Sequence, residues 1–470
     1  MSSDNIYITT PIFYVNDVPY IGHAYTSIAW DVIARFMRLA GRDEKYLTGT
    51  DEHGQKVEES AEKANIAPQE FADKTSASFY KMMSILNISN DEAYYAESEL
   101  TKDGMAPTGA PVEWVEEPSY FFALSKWQDK LLEYYEHNSE FIWPKSRRDE
   151  VISFVKKCLI DLSISRTSFK WGVPVPGNPE HVIYVWLDAL TKYIKALGYP
   201  DDKPDFAKFW PASAHVVGKD ILHFHAVYWP AFLIAAGLKW PKSIVVHGWW
   251  TNEGEKISKS VGNVINPFDL VEEFCLDQVH YFLMREINFG SDGNFSRENL
   301  VLRNNSKLAN KICNLVQRTS AFVYKYCERK IPNIESLDIN EVYESPLFKE
   351  IETIIKSNMM QMQRFNINKV IDNIIHITEL ANFYIDQEAP WALRKTDTVK
   401  MQQVVYVLLE TLRYIGIMLQ PFKPDAAIDM LDQLNIPEDQ HQFINMNKEY
   451  ALKPGATIRK PKPIFPRLDQ

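Results

Sequence analysis

Two short stretches, far apart in the chain, carry residue types suited to phosphate chemistry. The first is Gly22-His23, a glycine that lets a ligand approach the backbone with an imidazole beside it. The second is Lys256-Ile257-Ser258-Lys259-Ser260, bracketed by Gly254 and Gly262. Two lysines three apart in a hinged loop can close over phosphates held at the first stretch. Taken alone, a Gly-His pair also suits a structural turn, and a lysine pair also suits a solvated loop; together they ask for elements that bring them face to face.

The first stretch has such elements. Ile6, Tyr7, Ile8 and Thr9 form a β-branched and aromatic run that reads as a strand. Pro11 breaks it, and an amphipathic pattern begins near Gly22. A strand feeding a helix through a loop aims unpaired backbone N–H groups and the positive end of the helix dipole at one point, an arrangement that favours phosphate. Further strands and helices alternate up to about residue 90: a strand at Lys45–Thr48 and helices near Gln55–Lys63 and Gln69–Leu86. That alternation predicts a parallel sheet with its ligands at the carboxyl ends of the strands.

Composition narrows the class. At 470 residues the chain is too long for one core. Its 46% hydrophobic and 13% aromatic content suits packed globular domains. Cys158, Cys275, Cys313 and Cys327 lie far apart with no CxxC pair, which predicts free thiols in a reducing compartment and no structural zinc. The start, MSSDNIY, has no targeting pattern, and the most apolar run, Ala226 to Leu238, is interrupted by Pro230 and too short to span a bilayer. A cytoplasmic protein with no membrane partner is expected. The net charge of −11 argues against nucleic acid as a partner, but the stretch from Val301 to Lys330 is locally basic. On one helix there Arg303, Lys307, Lys311, Asn314 and Arg318 follow at steps of four, four, three and four.

Tyr20-Ile21-Gly22-His23 and the KISKS stretch resemble the two signature motifs of class I aminoacyl-tRNA synthetases. In more detail, TPIFYVNDVPYIGHAYT, TGTDEHG, YVWLDALTKY, GKDILHFHAVYWP, HGWWTNEGEKISKS and EAPW resemble the methionyl-tRNA synthetases, in that family's order and over nearly the whole chain. One departure is Tyr20, where the family usually has a histidine. The resemblance implies an α/β fold: a Rossmann-like parallel-sheet catalytic domain with a connective insertion, followed by an all-α helix bundle that binds the anticodon. It places the catalytic domain in residues 1–90 and 166–265, the insertion in 91–165, a stem region in 266–294, the anticodon-binding bundle in 295–450 and a tail docking on the catalytic side in 451–470. Some members carry a zinc knuckle in the insertion, whose ligands this sequence lacks. Family members normally have a further stretch after Asn90 before the motif that begins at Asp91. The intact flanks predict an omitted segment there, for which a Cα–Cα distance well beyond about 3.8 Å would be the sign.

The resemblance also implies the chemistry: ligation of L-methionine to tRNA(Met), with ATP and its Mg²⁺, by a monomer. His23, Lys256 and Lys259 would be catalytic, and Gly22, His23, Gly218, Asp220, Lys256 and Lys259 would hold ATP. Methionine would lie among Pro11, Ile12, Tyr14, Asp51, Trp186, Ala189, Leu190, Tyr193, Ile221 and His225. Asp51 would face the α-ammonium, aromatic walls suit a polarizable thioether, and Tyr14 and His225 would offer weak polar contacts near sulfur. Asn314 and Arg318 would read the anticodon, with Pro390-Trp391 stacking on a base. The same residues admit rivals. Synthetases for isoleucine, valine or leucine add an editing domain because one methylene discriminates poorly, and the insertion here is too short for one. A cysteine-specific enzyme would be expected to place a metal-binding Cys near the first motif, and none precedes Cys158. An RNA-binding protein derived from a synthetase and without catalysis would not need His23, Asp51, Lys256 and Lys259 together.

Overall fold

A computed structural model describes residues 5–52, 55–96, 118–168, 171–201, 203–257, 262–334, 339–465 and 467–468. Its central sheet has seven strands, all paired in parallel: β1 (Ile6–Thr9), β2 (Phe13–Tyr14), β3 (Glu44–Asp51), β4 (Glu92–Ala96), β5 (Ile142–Trp143), β6 (Ala214–Gly218) and β7 (Ile244–His247). From β3 the order runs β3, β1, β6, β7, β5, while β3 also pairs with β4 and, at Thr50 and Asp51, with β2. β1 therefore has β3 on one side and β6 on the other. The chain leaves β1 in one direction and returns to the sheet on its other flank, the kind of switch point where the carboxyl ends of parallel strands leave a crevice.

β3 is longer than its sequence signal because all eight residues are buried. A strand covered on both faces loses the polar alternation that would mark its ends. Helix α1 (Ile21–Leu39) packs across the sheet through Ile21, Tyr25, Ile28, Trp30, Val32 and Phe36, and the helices Gln55–Ala64 and Pro68–Ile85 follow β3. Helix α2 (Val185–Lys195) covers the other side of β1, its Leu190 and Tyr193 in a second core with Tyr7 and Leu47.

The region assigned to the insertion is partly built into the sheet, since both β4 and β5 lie within 91–165. β5 is two residues long, too short for a periodic signal. Residues 97–117 of this region lie outside the described residues, and Phe121–Phe122 is a short strand. The expected omission at Asn90 is not found: Asp91 follows Asn90 directly in the full sequence. Both flanks of the junction are held to the sheet and to α1. The Asp91 N–H donates to Tyr46 O at 3.1 Å, and Arg38 reaches Ser89 Oγ at 2.7 Å and Asp91 Oδ2 at 2.9 Å.

After the helices Pro267–Phe274 and Leu276–Arg285 and the short strand Gly293–Phe295, the regular elements among the described residues up to Gln433 are all helices. Helix α3 (Asn314–Tyr326) is preceded by a π-helical segment, Asn304–Cys313, and α4 (Pro390–Thr396) follows the long helix Ile367–Glu388. Among the described residues the tail, expected on the catalytic side, bonds to the helical part instead. Leu468 N–H and O both bond Asn305, Arg467 bonds Asn310, Lys462 bonds Gln433 and Arg459 pairs with Asp432, all in the helical part. Among the described residues no helix is long and apolar enough to cross a membrane, and all four cysteines are free.

Candidate active site

The carboxyl ends of β1, β3 and β6 open on one cavity of about 310 Å³, lined by Pro11, Ile12, Tyr14, Asp51, Val185, Trp186, Ala189, Leu190, Tyr193 and Asp220. That size lies at the small end of sites for small molecules, about 300–1,000 Å³. Each wall comes from a loop or face that the strand order dictates. Pro11 and Ile12 follow β1, Asp51 ends β3, and Asp220 stands two residues beyond the end of β6. Trp186, Ala189, Leu190 and Tyr193 recur at helical spacing along one side of α2.

Ile221 and His225 are not on the wall. His225 is fully buried behind Tyr193, with Nδ1 at 3.0 Å from Ile221 O and Nε2 at 2.8 Å from Tyr193 Oη. Burial pushes its imidazole down to about 4, so it is neutral. Nδ1–H then donates to the carbonyl, and Nε2 accepts the tyrosine proton. Both ring nitrogens are occupied, so the polar contact expected from His225 itself is relayed through Tyr193 in this arrangement. Tyr193 also stacks on His215 at 4.3 Å, and Trp186 stacks on Phe224 at 3.9 Å. The cavity is thus an aromatic box whose polar ends are two carboxylates.

One residue beside the cavity was hidden in the helical stripe of α2. Lys192 is 2% exposed, its Nζ lies 3.8 Å from Asp51 Oδ1, and Nζ has no hydrogen-bond partner among the described residues. A lysine at a flank of an amphipathic helix reads as a solvated residue, and only the close approach of β3 shows that it is a buried counter-ion. Val185, at the start of α2, is a lining residue that neither spacing nor the resemblance named.

The opening stretch forms the corner expected of it. β1 leads through Pro11 to α1, whose first turn contains Gly22 and His23. His23 is wedged among Phe13, Tyr20 and Phe79, with ring centroids 5.1, 4.5 and 5.0 Å away. This apolar cage pushes its imidazole down to about 3. The Tyr20 N–H donates to Nδ1 at 3.2 Å, so the neutral ring carries its proton on Nε2, as a donor. Tyr20 lies over Gly22, where an added Cβ would sit 2.7 Å from its ring. Its phenol is held above the usual range by burial and then by the charge of Asp220, which ties this corner to the far end of the cavity.

The second motif approaches from the other side of the same cleft. Trp249 follows β7, donates from Nε1 to Asp220 Oδ1 at 3.3 Å, and carries Lys219 at 4.2 Å and Lys256 at 5.9 Å over its ring. Lys256 is exposed in the hairpin of Trp250–Asn252 with Glu255–Lys256. Lys259 lies outside the described residues. Gly218 ends β6, and an added Cβ there would strike Asp220 Oδ1 at 2.5 Å, so the glycine lets that carboxylate fold back beside the strand. Among the described residues no group of three or more His, Cys, Asp or Glu side chains could hold a metal ion.

In the helical part Asn314 and Trp391 are exposed, Arg318 is half-buried and Pro390 is buried. The Arg318 guanidinium lies 5.4 Å from the Trp391 ring and pairs with Asp386 at 2.6 Å. The single basic stripe is not continuous. Arg303 pairs with Glu286, and Lys307 and Lys311 both reach Glu379 on the neighbouring helix. The π-helical turn across Asn304–Cys313 changes the spacing that steps of three and four assume.

Comparison with known proteins agrees with this geometry. The family of class I tRNA synthetases (M) matches residues 6–107 and 93–320, and the anticodon-binding domain of methionyl-tRNA ligase matches residues 338–470. A methionine–tRNA ligase of Rickettsia felis is 58% identical over 503 positions, covering 98% of either chain. That of Rickettsia bellii is 56% identical over 508 positions, covering all of either chain. Since this chain has 470 residues, these relatives carry residues that it lacks, and the first family match divides into two parts that overlap over residues 93–107. A solved structure of a Mycobacterium tuberculosis methionyl-tRNA synthetase in complex with methionyl-adenylate superposes with a TM-score of 0.92 at 39% identity, covering 99% of this chain and 100% of that one.

Proposed function

The chain belongs to the methionyl-tRNA ligases of class I, and from that premise we propose how its own residues divide the work of activating methionine with ATP and passing it to tRNA. The observation that carries the reading is the one cavity at the ends of β1, β3 and β6, with Asp51 at one end and Asp220, beside Tyr20 and Trp249, at the other.

Methionine lies with its thioether among Trp186, Ala189, Leu190 and Tyr193, and its α-ammonium faces Asp51. Its carboxylate points toward the phosphate corner, where it attacks the α-phosphorus of ATP in line as pyrophosphate leaves. Such a reaction asks for positioning and charge stabilisation more than for a protein nucleophile. The Nε2–H of His23 and the first N–H groups of α1 hold phosphate oxygens. Lys256 and Lys259 neutralise the departing charge from above, and Gly218 with Asp220 meets the ribose. Mg²⁺ arrives with ATP on its phosphates. The terminal ribose hydroxyl of tRNA then attacks the adenylate carbonyl, the acyl–phosphate bond breaks and AMP leaves with the ester formed. Asn314, Arg318, Pro390 and Trp391 receive the anticodon, Trp391 giving its exposed ring to a base. The enzyme works as a monomer in the cytoplasm.

Lys259→Ala tests this division of labour. The loss of one charge-stabilising contact is expected to slow ATP–pyrophosphate exchange roughly ten- to a thousandfold while methionine affinity, measured by equilibrium binding, stays put. Normal exchange in that variant would refute the role.

A further inference from the structure

The Trp391 and Arg318 pair has a counterpart further along the same two helices, with aromatic and arginine exchanged: Tyr326 on α3 and Arg394 on α4. On α3, Asn314, Arg318, Phe322 and Tyr326 are four apart and form one row. On α4, Arg394 is one turn on from Trp391. The Arg394 guanidinium lies 4.2 Å from the Tyr326 ring, closer than Arg318 lies to Trp391, and Lys325 Nζ is 5.1 Å from it. Phe322 supports the ring at 5.0 Å. Tyr326 is 37% exposed, so a flat hydrophobic face stands in water with two cations on it. Among the described residues no carboxylate pairs with Arg394 or Lys325. The nearby acids are engaged elsewhere: Asp386 with Arg318, Glu388 with Lys400 and Glu328 with Lys330. Tyr326 also falls in the stretch 321–337 that neither family match reaches.

We infer that Tyr326 and Arg394 form a second stacking platform for the tRNA, taking an unpaired base next to the one on Trp391. Every base has a π-face, and a ring already attended by an arginine offers stacking and a phosphate contact at once. Charge selects the occupant: the uncompensated groups are cationic, which suits a polyanion. The inference rests on the tRNA reading above.

The test is the KM for tRNA(Met) in aminoacylation, with unchanged thermal melting as the check on folding. Tyr326→Ala is expected to raise it about five- to a hundredfold, the effect of losing one stacked base. Tyr326→Phe keeps the ring and should stay within about twofold. Arg394→Ala should weaken binding and lower the salt slope by about 0.7, one phosphate contact on a single strand. Trp391→Ala is run in parallel. A rise with Trp391→Ala but none with Tyr326→Ala overturns the second platform and leaves the anticodon reading standing. A rise with Tyr326→Ala alone supports the second platform and removes Trp391 from the reading. No rise in either overturns both, and an equal loss in Tyr326→Phe and Tyr326→Ala overturns stacking.

Discussion

Replacing Asp51 by asparagine separates two duties that the geometry gives one carboxylate. It faces the cavity, and its Oδ1 lies 3.8 Å from the Lys192 ammonium, with both residues buried. At an effective dielectric constant of about 20, that attraction is about 4 kcal/mol, much of it offsetting the desolvation of two charges. Asp51→Asn leaves the lysine buried without its counter-charge. Breaking such a pair from one side costs about 3–5 kcal/mol, and a separation near the limit for an ion pair points to the low end, about 3 kcal/mol. The same substitution removes the proposed receptor for the substrate ammonium, a charged hydrogen bond of about 1.5–3 kcal/mol. The KM for methionine in ATP–pyrophosphate exchange should therefore rise about ten- to a hundredfold. Combining Asp51→Asn with Lys192→Met removes both charges, so thermal melting should recover while the KM stays high. A KM within about twofold of the parent in Asp51→Asn, or a double variant that regains methionine affinity, would show that Asp51 serves only Lys192 and refute the reasoning.

Gly22→Ala puts a methyl 2.7 Å from the Tyr20 ring, on the surface that the proposed site gives to ATP. The ring can swing away, so melting should hold, while a misplacement of this kind is expected to slow exchange about a hundredfold; an unchanged rate would remove Gly22 from the phosphate site. Stability should also fall on acidification. Burial holds His225 at about 4 and His280 at about 3, so below pH ~6.5 the unfolded chain takes up protons that the folded chain refuses, about 2 kcal/mol for each at pH 5. Glu44, pushed up to about 8 by burial, works the other way, its contribution being complete at low pH and lost as pH rises through that value. Two fully buried imidazoles outweigh one carboxyl between pH 5 and 6.5, so the melting temperature should drop over that interval. A flat or rising melting temperature from pH 6.5 to 5 would contradict it.

Much of the site was legible because it is local. Gly22 and His23 sit in one turn, and Trp186, Ala189, Leu190 and Tyr193 share one side of a helix, so spacing groups four of the ten lining residues, and the resemblance named these with all the others except Val185. What spacing could not show was partnership. His225 was expected around methionine, yet it lies behind Tyr193 with its two ring nitrogens bonding Ile221 and Tyr193, a fact of three-dimensional packing. Lys192 looked like surface until β3 ran beside it. The basic row from Arg303 to Arg318 assumed one uninterrupted α-helix, whereas a π-helical segment turns Lys307 and Lys311 toward Glu379. β5 adds two residues to the sheet from a region read as lying outside it, and neither its length nor its composition could announce a strand.

The central claim is that the aromatic cavity admits methionine and delivers its carboxylate to ATP at the His23 corner. Amino-acid-dependent ATP–pyrophosphate exchange, run across all twenty amino acids, tests it most directly. Exchange strongest by far with methionine is the predicted result. Exchange that favours another amino acid, or none with methionine while the protein remains folded, would contradict it.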